Sequence, residues 1–383
     1  MKNIVILGST GSIGKQALDV VRTYPEQFKI LALCAYGDAD TLIEQAREFL
    51  PHCVGLTNPA RAQEVRLALP GVNVICGADV TSELAALPQA DTVVHGVRGF
   101  YGTKPLLTAL AAGKTVALAN KESIVCAHEL VREAIAQGGG MLLPVDSEQS
   151  AIFQCMCSGK KEEIKRLILT ASGGPFRSYT AERLRAVTLE DALKHPTWRM
   201  GKKLTLDSAT LFNKGLEIME ASYLFDIPAE RIEVVVHPES VVHSMVEYVD
   251  GSSIAQLSRP DMRLAIQYAL TYPKRINGNF GAMELTKQGS LTFFEPNTEL
   301  FHAIPLAYEA LRCGGIMPIV YNAANEVAAG LFFEGSIGFL DIQALVEYTM
   351  GKSGRGSIGC FEDVLQADAQ ARRLAAGFIP HGG

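Results

Sequence analysis

With 383 residues, the chain is long enough for two or three domains, each with its own core. Its 48% hydrophobic and 20% charged residues describe an ordinary globular protein, and a net charge of −6 with no Lys/Arg-rich block argues against a nucleic-acid partner. Mean hydropathy is +0.14, yet no run nears the roughly 18 apolar residues that a spanning helix needs, so no membrane partner is expected.

The first predicted element is the apolar strand 4–7, which leaves no room for a signal peptide, and a cytoplasmic location is expected. The glycine turn 8–14 and helix 16–23 follow. Next come strand 29–34, helix 42–50, strand 72–75, strand 92–95, helix 105–112 and strand 115–119. Apolar strands separated by helices predict a doubly wound parallel sheet of Rossmann-like α/β type. From about Asp146 the pattern becomes α+β: helix 151–157, strand 166–170, the turn 172–175, a long helix 208–224, and strands 232–237, 241–248 and 253–257. After Pro296 it is helical: 305–312, 323–333, 342–349 and 361–376, with a Gly/Ser-rich loop at 351–359. The eight cysteines are scattered without zinc-finger spacing, which predicts reduced thiols.

Several constellations along this path carry chemistry. Gly8-Ser9-Thr10-Gly11-Ser12-Ile13-Gly14, between a strand and a helix, suits backbone contact with a pyrophosphate at a helix N-terminus. At the end of the second strand, Tyr36-Gly37-Asp38 offers an acid of the kind that bonds a ribose 2′-hydroxyl, which favours NAD; Asp40 is the alternative exposed acid. Asn120-Lys121-Glu122 lies at the C-terminal edge of the sheet, where such sheets bind ligands, although a plain helix start reads the same way.

Asp146 and Glu148 stand at i and i+2, hence on one side if the extended conformation persists, and two adjacent carboxylates invite a hard divalent cation. Asn213, Lys214 and Glu217 share a helix face; they suit a phosphate ester and a third metal ligand, or a simple surface ion pair. His195-Pro196-Thr197-Trp198-Arg199-Met200-Gly201 holds the single Trp between Pro and Gly, as core packing or as the apolar cover of an active-site lid.

Together these segments resemble the 1-deoxy-D-xylulose 5-phosphate reductoisomerase family of the non-mevalonate isoprenoid pathway. The matching stretches are GSTGSIG at 8–14, LANKES at 118–123, LLPVDSE at 142–148, SGGPF at 172–176, HPTW at 195–198, DSATLFNKGLE at 207–217 and NAANE at 322–326. The resemblance implies an NADPH domain at 1–145, a catalytic domain with the dimer contact at 146–280, a linker at 281–300 and a C-terminal helical domain at 301–383. It makes Asp146, Glu148 and Glu217 the ligands of Mg²⁺, Mn²⁺ or Co²⁺, and joins Lys121 and His195 to them as catalytic residues. Lys121 and Ser147 would meet the sugar-phosphate substrate near the metal; Ser172, His195, Trp198, Ser208, Asn213 and Lys214 would hold it, the serines, Asn213 and Lys214 mainly through its phosphate. Thr10, Gly11, Ser12, Ile13, Gly37, Asn120, Glu122 and Gly201 would touch NADPH. Asp38 departs from the Asn usual in the family and pulls toward NADH; Arg98 replaces a small residue. A homodimer is implied.

Two other readings share the first domain. A metal-independent sugar-phosphate or homoserine-type dehydrogenase has no need of the three carboxylates together. A non-catalytic nucleotide sensor needs neither those nor a Trp lid.

Overall fold

The computed structural model describes residues 1–194 and 200–379, which divide into two compact units. The first comprises Met1–Ser123, His128–Ser150 and Asp261–Gly281. It is built on seven parallel strands: β1 (Lys2–Leu7), β2 (Phe28–Ala35), β3 (Cys53–Leu56), β4 (Asn73–Cys76), β5 (Thr92–His95), β6 (Thr115–Leu118) and β7 (Met141–Pro144). Their spatial order is β4-β3-β2-β1-β5-β6-β7. Ile4, Val5, Ile6 and Leu7 are all fully buried, which is why β1 reads as an unbroken apolar run. Chain order reverses between β1 and β5, and the carboxyl ends there form the switch point at which open α/β sheets bind ligands.

Sequence patterning missed several pieces of this unit, among them a strand and a helix. β3 is only CVGL, too short for a periodic signal. The helix Met262–Thr271 also went unread, although Asp261 caps it by accepting from Arg263 N at 3.0 Å. It returns to pack on the helix Ser12–Thr23, where Tyr24 Oη donates to Gln267 Oε1 at 3.0 Å.

The second unit comprises Ile124–Ala127, Ala151–Pro260 and the chain from Ala282. Its sheet contains β8 (Ile164–Ala171), β9 (Ile232–Val236), β10 (Val242–Tyr248) and β11 (Ser253–Leu257), in the order β11-β10-β8-β9. β10 is antiparallel to both neighbours, and β8 and β9 are parallel. The four C-terminal helices are Ala303–Cys313, Met317–Phe333, Phe339–Lys352 and Phe361–Ala376. No described helix is long and apolar enough to cross a membrane.

Two local expectations need correction. The single helix expected over 208–224 is two helices, Lys202–Ala209 and Phe212–Phe225. Leu211 between them takes a left-handed φ of 64°, and Thr210 Oγ1 bonds back to Leu206 O at 2.9 Å. That side-chain bond competes with helix propagation. Residues 146–148 are not extended either: β7 ends at Pro144 and a helix spans Ser147–Met156. Period-two alternation therefore does not place Asp146 and Glu148 together; a strand-to-helix turn does.

The helix Phe212–Phe225 sits tightly in its unit at Gly215. A Cβ there would lie 1.9 Å from Tyr321 Oη and 2.9 Å from the Ala303 carbonyl oxygen, and Tyr321 Oη itself donates to that carbonyl at 3.0 Å. Gly215→Ala must displace buried Tyr321 or the backbone, so we expect a loss of about 1–3 kcal/mol, the usual scale of overpacking. Urea denaturation reads this directly; an unchanged midpoint would mean that Tyr321 yields without cost.

Candidate active site

The glycine turn follows β1. Gly8 adopts φ +81°, and a Cβ on it would come within 2.6 Å of the Gly96 carbonyl oxygen, so no larger residue fits where the loops after β1 and β5 meet. Gly11 caps the helix Ser12–Thr23 without a side-chain bond. The first-turn N–H groups of that helix point the partial positive end of its dipole at this loop. Thr10, Gly11 and Ile13 are half-buried, and Ser12 is exposed.

At the end of β2, Gly37 is half-buried and Asp38 is exposed. The Asp38 carboxylate accepts from Thr41 N at 3.2 Å and caps the helix Ala39–Phe49. Asp40 is instead gripped by both terminal nitrogens of Arg61, each at 2.8 Å, which holds its carboxyl below the usual range.

The loop after β5 is stitched to the end of β6 by buried Asn120. Its Nδ2 donates to Val97 O at 2.6 Å and Gly99 O at 2.9 Å, while its Oδ1 accepts from Ser123 N at 2.7 Å. Asn120 thus caps the helix Lys121–Gly138, and Lys121 and Glu122 occupy its first turn. Lys121, 6% exposed, reaches Asp146 Oδ2 with its Nζ at 2.5 Å. Asp146 Oδ1 accepts from Ser147 N at 3.0 Å, and Ser147 Oγ donates to Glu148 Oε2 at 2.5 Å.

Asn213, Lys214 and Glu217 do share one face of the helix Phe212–Phe225. Glu217 is fully buried; its Oε1 accepts from Asn213 Nδ2 at 2.5 Å and its Oε2 from Lys214 Nζ. Lys214 Nζ also donates to Thr170 O at 2.5 Å, anchoring it to β8. Thr170 carries no sequence signal for that contact, because a backbone carbonyl is common to every residue.

Ser172 Oγ accepts from Gly174 N at 3.3 Å. A Cβ on Gly174 would lie 2.7 Å from Ser208 O, so this glycine lets the Ser172 turn close on the backbone of Ser208. Gly201 caps the helix Lys202–Ala209 that carries Ser208. His195 and Trp198 lie outside the described residues.

One ligand oxygen each from Asp146, Glu148 and Glu217 falls within 4.8 Å of the others. All three are hard carboxylate donors, the set that suits Mg²⁺ or Mn²⁺ rather than a soft metal. The sequence-derived trio is therefore brought together.

β5 ends in His95, fully buried, whose Nε2 lies 2.8 Å from Gly102 O and donates to it in the neutral ring. Burial pushes its pKa down to about 4, against the opposing effect of that bond. An unfolded chain takes up the His95 proton near pH 6.5, with about 6.5 the unperturbed value. The stabilisation is hence complete above about 6.5 and is lost as pH falls through about 4. It amounts to on the order of 3 kcal/mol. Unfolding free energies of wild type and His95→Asn, compared from neutral pH down to about 4, should converge at the acid end; parallel curves would remove His95 from the acid response.

The comparisons with known proteins point one way. Family models described as 1-deoxy-D-xylulose 5-phosphate reductoisomerase, its C-terminal domain, and DXP reductoisomerase C-terminal domain match residues 4–128, 142–225 and 257–374. A 1-deoxy-D-xylulose 5-phosphate reductoisomerase from Chlorobaculum tepidum is 49% identical over 381 residues, covering 99% of this chain and 100% of the relative. One from Bacteroides fragilis is 46% identical over 380 residues, covering 99% and 98%. The solved Zymomonas mobilis enzyme in complex with NADPH is 41% identical with a TM-score of 0.93, covering 98% of each chain. A DOX-P reductoisomerase in complex with NADPH, fosmidomycin and magnesium is 36% identical with a TM-score of 0.92, again covering 98% of each chain.

Proposed function

The chain belongs to the 1-deoxy-D-xylulose 5-phosphate reductoisomerase family, and from that premise we propose that it rearranges and reduces 1-deoxy-D-xylulose 5-phosphate to 2-C-methyl-D-erythritol 4-phosphate, with NADPH and a divalent cation. The observation that carries this reading is the trio Asp146, Glu148 and Glu217, gathered within 4.8 Å, in a chain that also has a glycine turn at a sheet switch point. A metal-independent dehydrogenase or a nucleotide sensor has no use for that trio.

Asp146, Glu148 and Glu217 would hold Mg²⁺, with Mn²⁺ or Co²⁺ acceptable to the same oxygens. When bound, the ion supplies Lewis-acid polarisation of a carbonyl and its neighbouring hydroxyl, and NADPH supplies hydride. The chain's own residues bind and orient. Lys121, Ser147 and His195 are assigned to the reacting end of the substrate. Ser172, Ser208, Asn213 and Lys214 are assigned to its phosphate, a remote grip whose binding energy can be used to orient the reacting carbons. Trp198 is assigned as the cover that excludes water.

Thr10, Gly11, Ser12, Ile13, Gly37, Asn120, Glu122 and Gly201 are assigned to NADPH. Because the Asn120 amide is committed to Val97, Gly99 and Ser123, it serves by shaping the loop. The functional division into 1–145, 146–280, a linker at 281–300 and 301–383, the homodimer and the cytoplasmic location complete the proposal.

Glu217→Gln removes one ligand charge, and Mg²⁺ affinity should fall roughly a hundredfold, the upper end for changes around a metal. Turnover should be lost while NADPH still binds. Calorimetric titration with Mg²⁺, NADPH oxidation with and without chelator, and the emission of Trp198 on substrate addition check these roles together. Chelator-resistant turnover by Glu217→Gln would sink the metal site, and unchanged emission would sink the cover.

The coenzyme prediction rests on Asp38. Asn caps a helix as well as Asp does, so Asp38→Asn removes the charge and keeps the helix Ala39–Phe49. We expect wild type to prefer NADPH by a narrow margin and the variant to widen it by roughly threefold, the scale of one exposed charge interaction. The ratio of kcat/KM for NADPH and NADH in both proteins decides; a wild-type preference for NADH would overturn the assignment.

A further inference from the structure

The stretch NAANE at 322–326 lies in the helix Met317–Phe333, away from every role assigned so far. Asn325 is 1% exposed, and its Nδ2 donates to Asp207 Oδ1 at 3.0 Å. Asp207 is 3% exposed; its other oxygen accepts from Lys203 Nζ at 2.5 Å, one helical turn earlier. Asp207 immediately precedes Ser208, which is assigned to the substrate phosphate.

We propose that Asp207 and Asn325 are positioning residues for phosphate binding: their buried bond fixes the C-terminal end of the helix Lys202–Ala209 and thereby sets where Ser208 presents its hydroxyl. The inference rests on the substrate reading above. Five observations carry it.

The helix Lys202–Ala209 is only 8 residues long, and it ends in the Thr210–Leu211 break rather than running on into its neighbour. A helix of two turns has little stability of its own and takes its placement from tertiary contacts. Asp207 and Ser208 are adjacent, so their side chains leave the helix about 100° apart. Anchoring one to the helix Met317–Phe333 therefore fixes the rotation of the other. The Ser208 backbone also abuts Gly174, where an added Cβ would lie 2.7 Å from Ser208 O, so a second contact restricts the rotation.

The anchor is also costly in a way that packing alone does not require. Asn325 Oδ1 is buried and finds no partner among the described residues. A hydrophobic residue would fill that place without leaving a polar atom desolvated. A buried carboxylate likewise has no packing advantage over Leu. What Asn and Asp add is direction, because a charge-assisted hydrogen bond fixes orientation where dispersion contacts do not. The grip extends further: Asn322 Nδ2 donates to Glu326 Oε1 at 3.3 Å, and Glu326 Oε2 accepts from Arg372 Nη2 at 2.5 Å. Arg372 lies in the helix Phe361–Ala376, where Asp368 of the same helix accepts from its Nε at 2.7 Å, so its bond to Glu326 ties that helix to the helix Met317–Phe333.

Steady-state kinetics of Asn325→Ala, Asn325→Asp and the exchanged pair Asp207→Asn with Asn325→Asp test this. Asn325→Ala should raise KM for the keto-sugar phosphate about tenfold, as expected for one lost charge-assisted bond, with kcat within about threefold and with NADPH and Mg²⁺ affinities unchanged. Asn325→Asp sets two carboxylates face to face and should raise KM further. The exchanged pair restores donor and acceptor and should bring KM back to within about threefold of wild type, as a double-mutant cycle requires of a direct pair. An unaltered KM in Asn325→Ala beside an active wild type overturns the positioning role alone. So does a uniform loss of KM, kcat and coenzyme affinity that the exchange fails to rescue. A wild type that does not turn over the keto-sugar phosphate overturns the function itself.

Discussion

The constraint on which the rest depends is electrostatic. Asp146, Glu148 and Glu217 form the group of carboxylates that could hold a metal ion, and like charges gathered in one place repel one another. The chain relieves this with two buried ammonium groups, Lys121 on Asp146 and Lys214 on Glu217. Three negative and two positive charges leave the cluster negative, which is the balance a divalent cation completes. Under the proposed roles, the same two lysines would also supply the positive charge that a phosphate or an oxyanion of the substrate needs.

Local backbone devices deliver those charges. The chain turns directly from β7 into the helix Ser147–Met156, so Asp146 and Glu148 flank the first helical residue. Leu211, in the left-handed region at φ 64°, ends one helix and starts the next, which aims Asn213, Lys214 and Glu217 as a set. A leucine there costs of order 1 kcal/mol that a glycine would not, and the surrounding core of Leu211, Phe212 and Tyr321 offsets it. The close seat of Gly215 then holds the second helix at a fixed depth, so that the carboxylate of Glu217 is not free to drift.

Much of this was legible in the sequence because it is written in side-chain chemistry at short range. The glycine turn, Asn120-Lys121-Glu122, the Asp146/Glu148 pair and the Asn213–Glu217 face all depend on neighbours a few residues apart. The lone helix over 208–224 was not, since a left-handed Leu has no compositional signature and Thr210 is unremarkable in a helix. The extended reading of 146–148 failed for a related reason: two carboxylates at i and i+2 fit a strand or the mouth of a helix, and spacing does not choose between them. Asp207 with Asn325 and Lys214 with the Thr170 carbonyl were illegible, because they join residues 118 and 44 positions apart. β3, only CVGL, is too short to show a period.

The two phosphate-bearing ligands would be held by opposite strategies. The coenzyme would meet a helix start with a glycine cap and no side-chain cap bond, where backbone N–H groups and the dipole act together. Such a grip is indifferent to which nucleotide carries the pyrophosphate. Selection between NADPH and NADH would then fall to the end of β2, where Asp38 is exposed and already committed to Thr41 N. An exposed carboxylate is screened within about 8 Å at physiological salt, so its repulsion of a 2′-phosphate is limited. The substrate, by contrast, is assigned to buried side chains, Lys214 and Asn213 among them, whose charges are not screened in this way. Discrimination should thus be stringent for the sugar phosphate and lenient for the coenzyme, a division set by burial rather than by the number of charges at either place.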